Sequence, residues 1–167
     1  MSRLFVTGCT HFGHANIIRL AGRPFTDVGE MDARLIENWN ATVRPNDEVW
    51  HLGDFAFRAA EAPDAILKRL NGRVHLMQGN HDRRSWGRDY AEIRHKGLRL
   101  VLFHYPIEEW NGWWRGALHL HAHTHSPELV NARREGKPNR FHVGVDATDF
   151  RPIDVEELAA MSAREGR

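Results

Sequence analysis

A chain of 167 residues with 41% hydrophobic and 27% charged content is ordinary for a soluble globular protein and needs neither disulfides nor a structural metal to build a core. Lysine and arginine total 23 against 22 acidic residues, a net charge of +1, which excludes a strong general attraction to nucleic acid or an anionic membrane. The single cysteine, Cys9, excludes an intramolecular disulfide; with no signal-peptide-like or membrane-spanning stretch, the expectation is one domain over residues 1–167 in the cytoplasm.

Leu4, Phe5 and Val6 predict a short buried strand that stops at Gly8, and Cys9, His11 and His14 follow at once. Residues 15–20 predict a short helix. Asp27 is the expected N-cap of a longer one reaching about Val43, with Met31, Leu35, Ile36 and Trp39 at helical spacing. A second strand is expected over 48–52 ending at Gly53-Asp54, a helix over 62–70 stopped by Asn71-Gly72, and a third strand over 73–77 ending at Gly79-Asn80-His81-Asp82. The second half predicts a hairpin over 93–103 turning at Lys96-Gly97 and ending at His104. A loop with Trp110, Trp113 and Trp114 follows, then a strand over 117–120 that ends at His121-Ala122-His123-Thr124-His125. Residues 130–140 read as a polar, basic loop, 141–145 as a last strand and 155–163 as a closing helix capped by Asp154. Alternating strands and helices in the first half argue for parallel pairing, and the second half reads as antiparallel.

Twelve histidines are many for this length, and imidazole is the commonest metal ligand. More informative is placement. Cys9 and His11, Asp54, Asn80 and His81, His104, and His123 and His125 each fall at the end of an expected strand, where open α/β sheets collect their ligands. Imidazoles, a carboxylate, an amide oxygen and a thiol are enough donors for two metal ions, with Asp54 as the obvious carboxylate bridge. A metal pair of this kind activates water and clamps a phosphoryl group.

Taken in order, Cys9-Thr10-His11, Gly53-Asp54, Gly79-Asn80-His81-Asp82, His104 and His123-Thr124-His125 resemble the motifs of the calcineurin-like metallophosphoesterases, over roughly residues 5–146. That pattern is D-x-H, G-D, G-N-H-[DE], H and G-H-x-H. The resemblance implies a four-layer αββα fold, a two-sheet mixed β-sandwich flanked by helices. It implies one metal on Cys9, His11, Asp54 and His125 and a second on Asp54, Asn80, His104 and His123, drawn from zinc, iron or manganese. It also implies attack on phosphorus by a metal-bridging hydroxide, with Asn80 beside it and His81 as general acid. The substrate is then a small phosphodiester or phosphomonoester, a nucleotide among the candidates. Two residues depart from the pattern. Ala122 stands where glycine is usual. Cys9 stands in place of an aspartate, and as a thiolate it suits zinc or iron better than manganese. Among the alternatives, a nuclease is disfavoured by the near-neutral charge. A scaffold with weakened catalysis that binds a partner would make Cys9 a mark of decay. His14 is expected to face substrate, and His51 and His121 to support ligands.

Overall fold

Leu4, Phe5 and Val6 are all buried, as in a strand covered on both faces. In the computed structural model, which describes residues 2–83 and 85–164, they belong to β1 (Leu4–Thr7). This strand runs parallel to β2 (Glu48–His51), which runs parallel to β3 (Arg73–Leu76). The two-residue strand β9 (Ile153–Asp154), not expected from the sequence, pairs antiparallel with β1 and closes a four-stranded sheet of order β3-β2-β1-β9.

The second sheet has the order β4-β5-β6-β8-β7, from β4 (Tyr90–His95), β5 (Leu98–Phe103), β6 (Leu118–His121), β7 (Val130–Arg134) and β8 (Lys137–His142). It corrects two expectations. The sheet is mixed rather than antiparallel, because β5, β6 and β8 run parallel between two antiparallel hairpins. The basic stretch 130–140 is no loop but the β7–β8 hairpin. Its turn, Glu135-Gly136, has both residues at positive φ (51° and 81°), the geometry that matches strand twist in a two-residue hairpin. Arg134 on the outer strand β7 lies over the Trp113 ring at 4.5 Å, and Arg140 on β8 donates to the Ile107 carbonyl at 3.0 Å.

Period-two alternation sorts the strands' side chains. Leu4, Val6, Trp50, Leu100, Leu102, Leu118, Leu120 and Phe141 form the core between the sheets. Phe5 and Val49 face the other way, into a layer made by α1 (Ala15–Leu20), α2 (Val28–Thr42) and α3 (Pro63–Leu67). Asp27 caps α2 by accepting from the Glu30 N–H at 2.8 Å. Met31, Leu35 and Trp39 carry α2's buried stripe, each burial stabilising by about 1.5–3 kcal/mol. The helix expected over 62–70 is only Pro63–Leu67, since Leu70 and Asn71 turn back to hold the end of α2 through Trp39 Nε1–H to the Asn71 carbonyl, 2.9 Å. Across the second sheet the cover is a 3-10 turn at Trp113–Arg115, with Trp110 packed on Val101 and Ala117. The helix α4 (Val155–Arg164) contributes Val155 and Leu158 to the core between the sheets. The architecture is thus α/β, two mixed sheets face to face, flanked by helices. Among the described residues no helix is long and apolar enough to cross a membrane.

Candidate metal centre

The turn after β1 and the turn after β2 continue side by side beyond the sheet. Cys9 N–H donates to the Gly53 carbonyl (2.9 Å), His11 N–H to Asp54 (3.0 Å) and Phe12 N–H to Phe55 (3.0 Å). The turns pack too closely for larger residues. A Cβ on Gly79 would lie 2.3 Å from Asp54 N and Oδ1, and Gly53, at φ +92°, is pressed on Gly79. Five of the expected ligands have left-handed backbones: Cys9 (φ 51°), His11 (54°), Asp54 (57°), His123 (67°) and His125 (51°). Such conformations are unfavourable for residues with a Cβ and collect at functional sites.

The side chains meet in two overlapping sets. Donor atoms of Cys9, His11 and His125 all lie within 4.8 Å of one another, and so do those of Cys9, Asp54 and His104. Asp54 Oδ2 sits 3.4 Å from His11 Nε2 and 3.4 Å from His104 Nε2. Its other oxygen, Oδ1, accepts from the His81 N–H at 2.7 Å. Asn80 Oδ1 lies 3.0 Å from His104 Nε2 and 3.1 Å from His123 Nδ1. Every residue expected to hold a metal is therefore at one locus. The His81 ring stands beside it, 5.3 Å from the His11 ring, and lines a cavity of about 520 Å³ together with His14, Phe57, Asp54, His123 and His125.

The donor set fits metal ions. His104 Nδ1–H donates to the Leu52 carbonyl (2.7 Å), so its Nε2 is left facing two oxygens, Asp54 Oδ2 and Asn80 Oδ1. Three electron-rich atoms converge there, and only a cation between them, a proton or a metal ion, satisfies all three. His11 Nε2 is buried with no hydrogen-bond partner. His125 Nδ1–H is held by Asp146 Oδ2 at 2.8 Å, which orients the ring as carboxylates orient metal-binding imidazoles. Electrostatics agree. Burial pushes the His11 imidazole down to about 2, keeping its lone pair free. Burial alone would raise Asp54, but hydrogen bonding and charge from His104 and the His81 N–H hold it at about 2, ionised. Burial, and next the Asp54 carboxylate, push the Cys9 thiol up. A thiolate there needs a cation beside it; the sulfur accepts a 3.2 Å bond from the His123 N–H.

Sequence reasoning missed the supports. Arg23, only 4% exposed, donates to the carbonyls of Cys9 (2.7 Å) and Thr10 (3.0 Å) and grips Asp146 with two bonds of 2.9 and 3.0 Å. Asp82, quoted above only as part of a motif, accepts from the N–H groups of Asp54 (2.7 Å), Phe55 (2.9 Å) and Gly79 (2.9 Å), binding the second turn to the third. Asp146 had one faint signal, its place just past a predicted strand. Of the expected neighbours, His14 lines the cavity, with Nδ1 3.0 Å from His11 Nδ1, and His51 contacts Thr10 Oγ1 at 2.9 Å. His121 instead faces the outer side of its sheet, bonded to Ala122 O and Asn131. Trp110 is core, and Trp113 and Trp114 line a different cavity.

No family model matches the chain. It is 32% identical over 168 residues to the uncharacterized protein MJ1445 of Methanocaldococcus jannaschii, covering 96% of this chain and 92% of that protein. It is 30% identical over 196 residues to the gene 66 protein of Mycobacterium phage D29, covering 95% and 96%. The crystal structure of AQ665, a protein of unknown function from Aquifex aeolicus, superposes with a TM-score of 0.72 at 26% identity, covering 96% of this chain and 99% of that one. At 32% identity over nearly the whole of both chains, this chain belongs to one family with MJ1445, and its ordered motifs, gathered at the strand ends of a two-sheet fold, keep the resemblance to the calcineurin-like metallophosphoesterases that the sequence carries.

Proposed function

We propose that the chain is a binuclear metal-dependent phosphoesterase. The observation that carries this reading is Asp54 Oδ2, 3.4 Å from one imidazole of each set and so placed to serve two ions at once. Cys9, His11, Asp54 and His125 would hold one ion, and Asp54, Asn80, His104 and His123 the other. Two such ions supply Lewis acidity toward the phosphoryl oxygens and an activated water. The thiol favours zinc or iron in the first position.

The remaining chemistry falls to the chain. His81, anchored through its own N–H on Asp54, has its ring free over the cavity to protonate the leaving oxygen of an ester. A general acid matters most for a poor alkoxide leaving group, which favours diesters over activated monoesters. Phe57 packs against the His81 and His14 rings (5.4 and 4.6 Å) and limits water on that side. The cytoplasm is the expected setting.

The test combines metal analysis of untreated protein with hydrolysis of bis(p-nitrophenyl) phosphate under added zinc, iron or manganese. The expectation is about two metal equivalents per chain. His81→Ala should keep that metal and lose about 10²–10⁴-fold in rate on an alkyl diester, whose alkoxide must be protonated, and much less on the p-nitrophenyl diester, whose leaving group needs no general acid. Bound metal with no hydrolysis of any ester under any of the three would overturn the enzyme reading and favour a partner-binding scaffold.

A further inference from the structure

Beyond the residues that would hold metal, the cavity beside His81 has a second charged feature, and it deepens the phosphoesterase reading, on which it rests. Phe57 is half-buried, and Arg58 and Arg83 each place a guanidinium over its ring, 5.2 and 5.7 Å from the centroid. Contacts lead from the centre to this group without a gap. Asp54 Oδ1 holds the His81 backbone, the His81 ring meets Phe57 at 5.4 Å, and the two guanidiniums lie on Phe57. Phe57 and Arg58 line both the cavity of about 520 Å³ that holds the metal-facing side chains and an adjoining one of about 440 Å³ that Arg83 and Trp86 also line.

The segment is held in place. Phe57 N–H donates to the Phe12 carbonyl (2.9 Å), and Phe12 and Ala56 form an isolated bridge. Ala59 sits so tightly on Gly13 that a Cβ there would lie 2.2 Å from Ala59 Cα. Arg58 itself is left-handed (φ 55°), an unfavourable state that the packing around it maintains. Nearby carboxylates are otherwise engaged: Glu61 pairs with Arg69 (2.8 Å) and Asp82 accepts from three backbone N–H groups. Among the described residues neither Arg58 nor Arg83 has an ion-pair partner. Two forked cations on one aromatic ring, both lining one cavity and without an ion-pair partner among the described residues, match a phosphate. The 520 Å³ cavity is also lined by apolar side chains, Ile17 buried and Leu20 65% exposed.

We propose that Arg58 and Arg83, seated on Phe57, form an anion subsite that selects phosphoesters bearing a second phosphate on the part of the substrate that is not hydrolysed. The reacting phosphoryl group lies at the metal centre, an apolar spacer crosses between Leu20 and Phe57, and the second phosphate takes the guanidinium donors.

Calorimetry with two ligands that cannot be hydrolysed tests this on the metal-loaded protein: p-xylylenediphosphonate, with two anionic ends on an aromatic spacer, and benzylphosphonate, with one. The wild type should bind the diphosphonate at least tenfold more tightly. In Arg58→Ala/Arg83→Ala, checked for native circular dichroism, that ratio should fall to near one, and Arg58→Lys/Arg83→Lys should restore part of it. Equal affinity for the two ligands in the wild type, no measurable binding of either included, overturns the proposal, and so does a preference that survives the alanine pair. An arginine-dependent preference in a protein that hydrolyses no ester upholds the subsite and rejects the enzyme. Hydrolysis without the preference does the reverse.

Discussion

Ala122 sits where the metallophosphoesterase motif pattern carries glycine, and its methyl is accommodated by a second small residue. A Cβ built on Gly8 would lie 2.7 Å from the Ala122 Cβ, so the two positions share room for one methyl. Gly8→Ala should therefore overpack the core and cost about 1–3 kcal/mol, and Ala122→Gly in the same chain should recover most of it. Urea midpoints of the four proteins of this cycle measure the coupling. Cys9 is the other departure. If its sulfur holds an ion, cobalt-loaded protein will show a thiolate-to-cobalt charge-transfer band in the near ultraviolet that Cys9→Ala abolishes along with part of the bound metal. An unchanged spectrum and metal content in Cys9→Ala would remove Cys9 from the ligand set. The residues with metal-binding chemistry were legible in the sequence because each closes a hydrophobic run. Their supports were not: Arg23 and Asp146 are 123 positions apart and become partners only when the turn after α1 meets the turn after β8.

At the scale of elements, what was legible followed from periodicity. The stripe of α2, the alternation of β1 and β2, and the Asp27 cap all have local causes. What failed was the β7–β8 hairpin, whose polar strands alternate no hydrophobic face and are recognised only through the Glu135-Gly136 turn. The joints between elements carry their own prediction. Arg23 ties three of them: the turn after α1, the ligand turn after β1, and Asp146 in the 3-10 turn beyond β8. Replacing it with methionine keeps its bulk but leaves the buried Asp146 carboxylate with His125 alone as partner among the described residues. Arg23→Met should lose about 3–5 kcal/mol by urea unfolding, the range for breaking one side of a buried ion pair. A loss below about 1 kcal/mol would mean that the pair adds no more than a surface bridge.

The whole molecule holds several imidazoles in its interior. Burial lowers His51 to about 3, His119 to about 4 and His142 to about 3. Each folded value lies below the roughly 6.5 of an unfolded histidine, so the unfolded chain takes up protons first as pH falls. Stability on this account is complete above about pH 7 and declines steadily below about 6.5. Each of the three should cost roughly 1 kcal/mol between pH 7 and pH 5.5. Urea unfolding of metal-stripped protein at the two pH values measures their sum together with the like share of His11, and equal stability would contradict the buried, neutral state of these rings.

Five left-handed backbones at one locus also bear on how the chain can be altered without losing its centre. At such positions glycine is the less costly residue, by about 1–2 kcal/mol, inverting its usual rank against alanine. In metal-stripped protein His123→Gly should accordingly melt about 2–8 °C above His123→Ala. Any screen that rewards heat tolerance alone will then drift toward glycine at Cys9, His11, Asp54, His123 and His125 and erase the centre one donor at a time. Only a selection that also reads metal uptake will keep both.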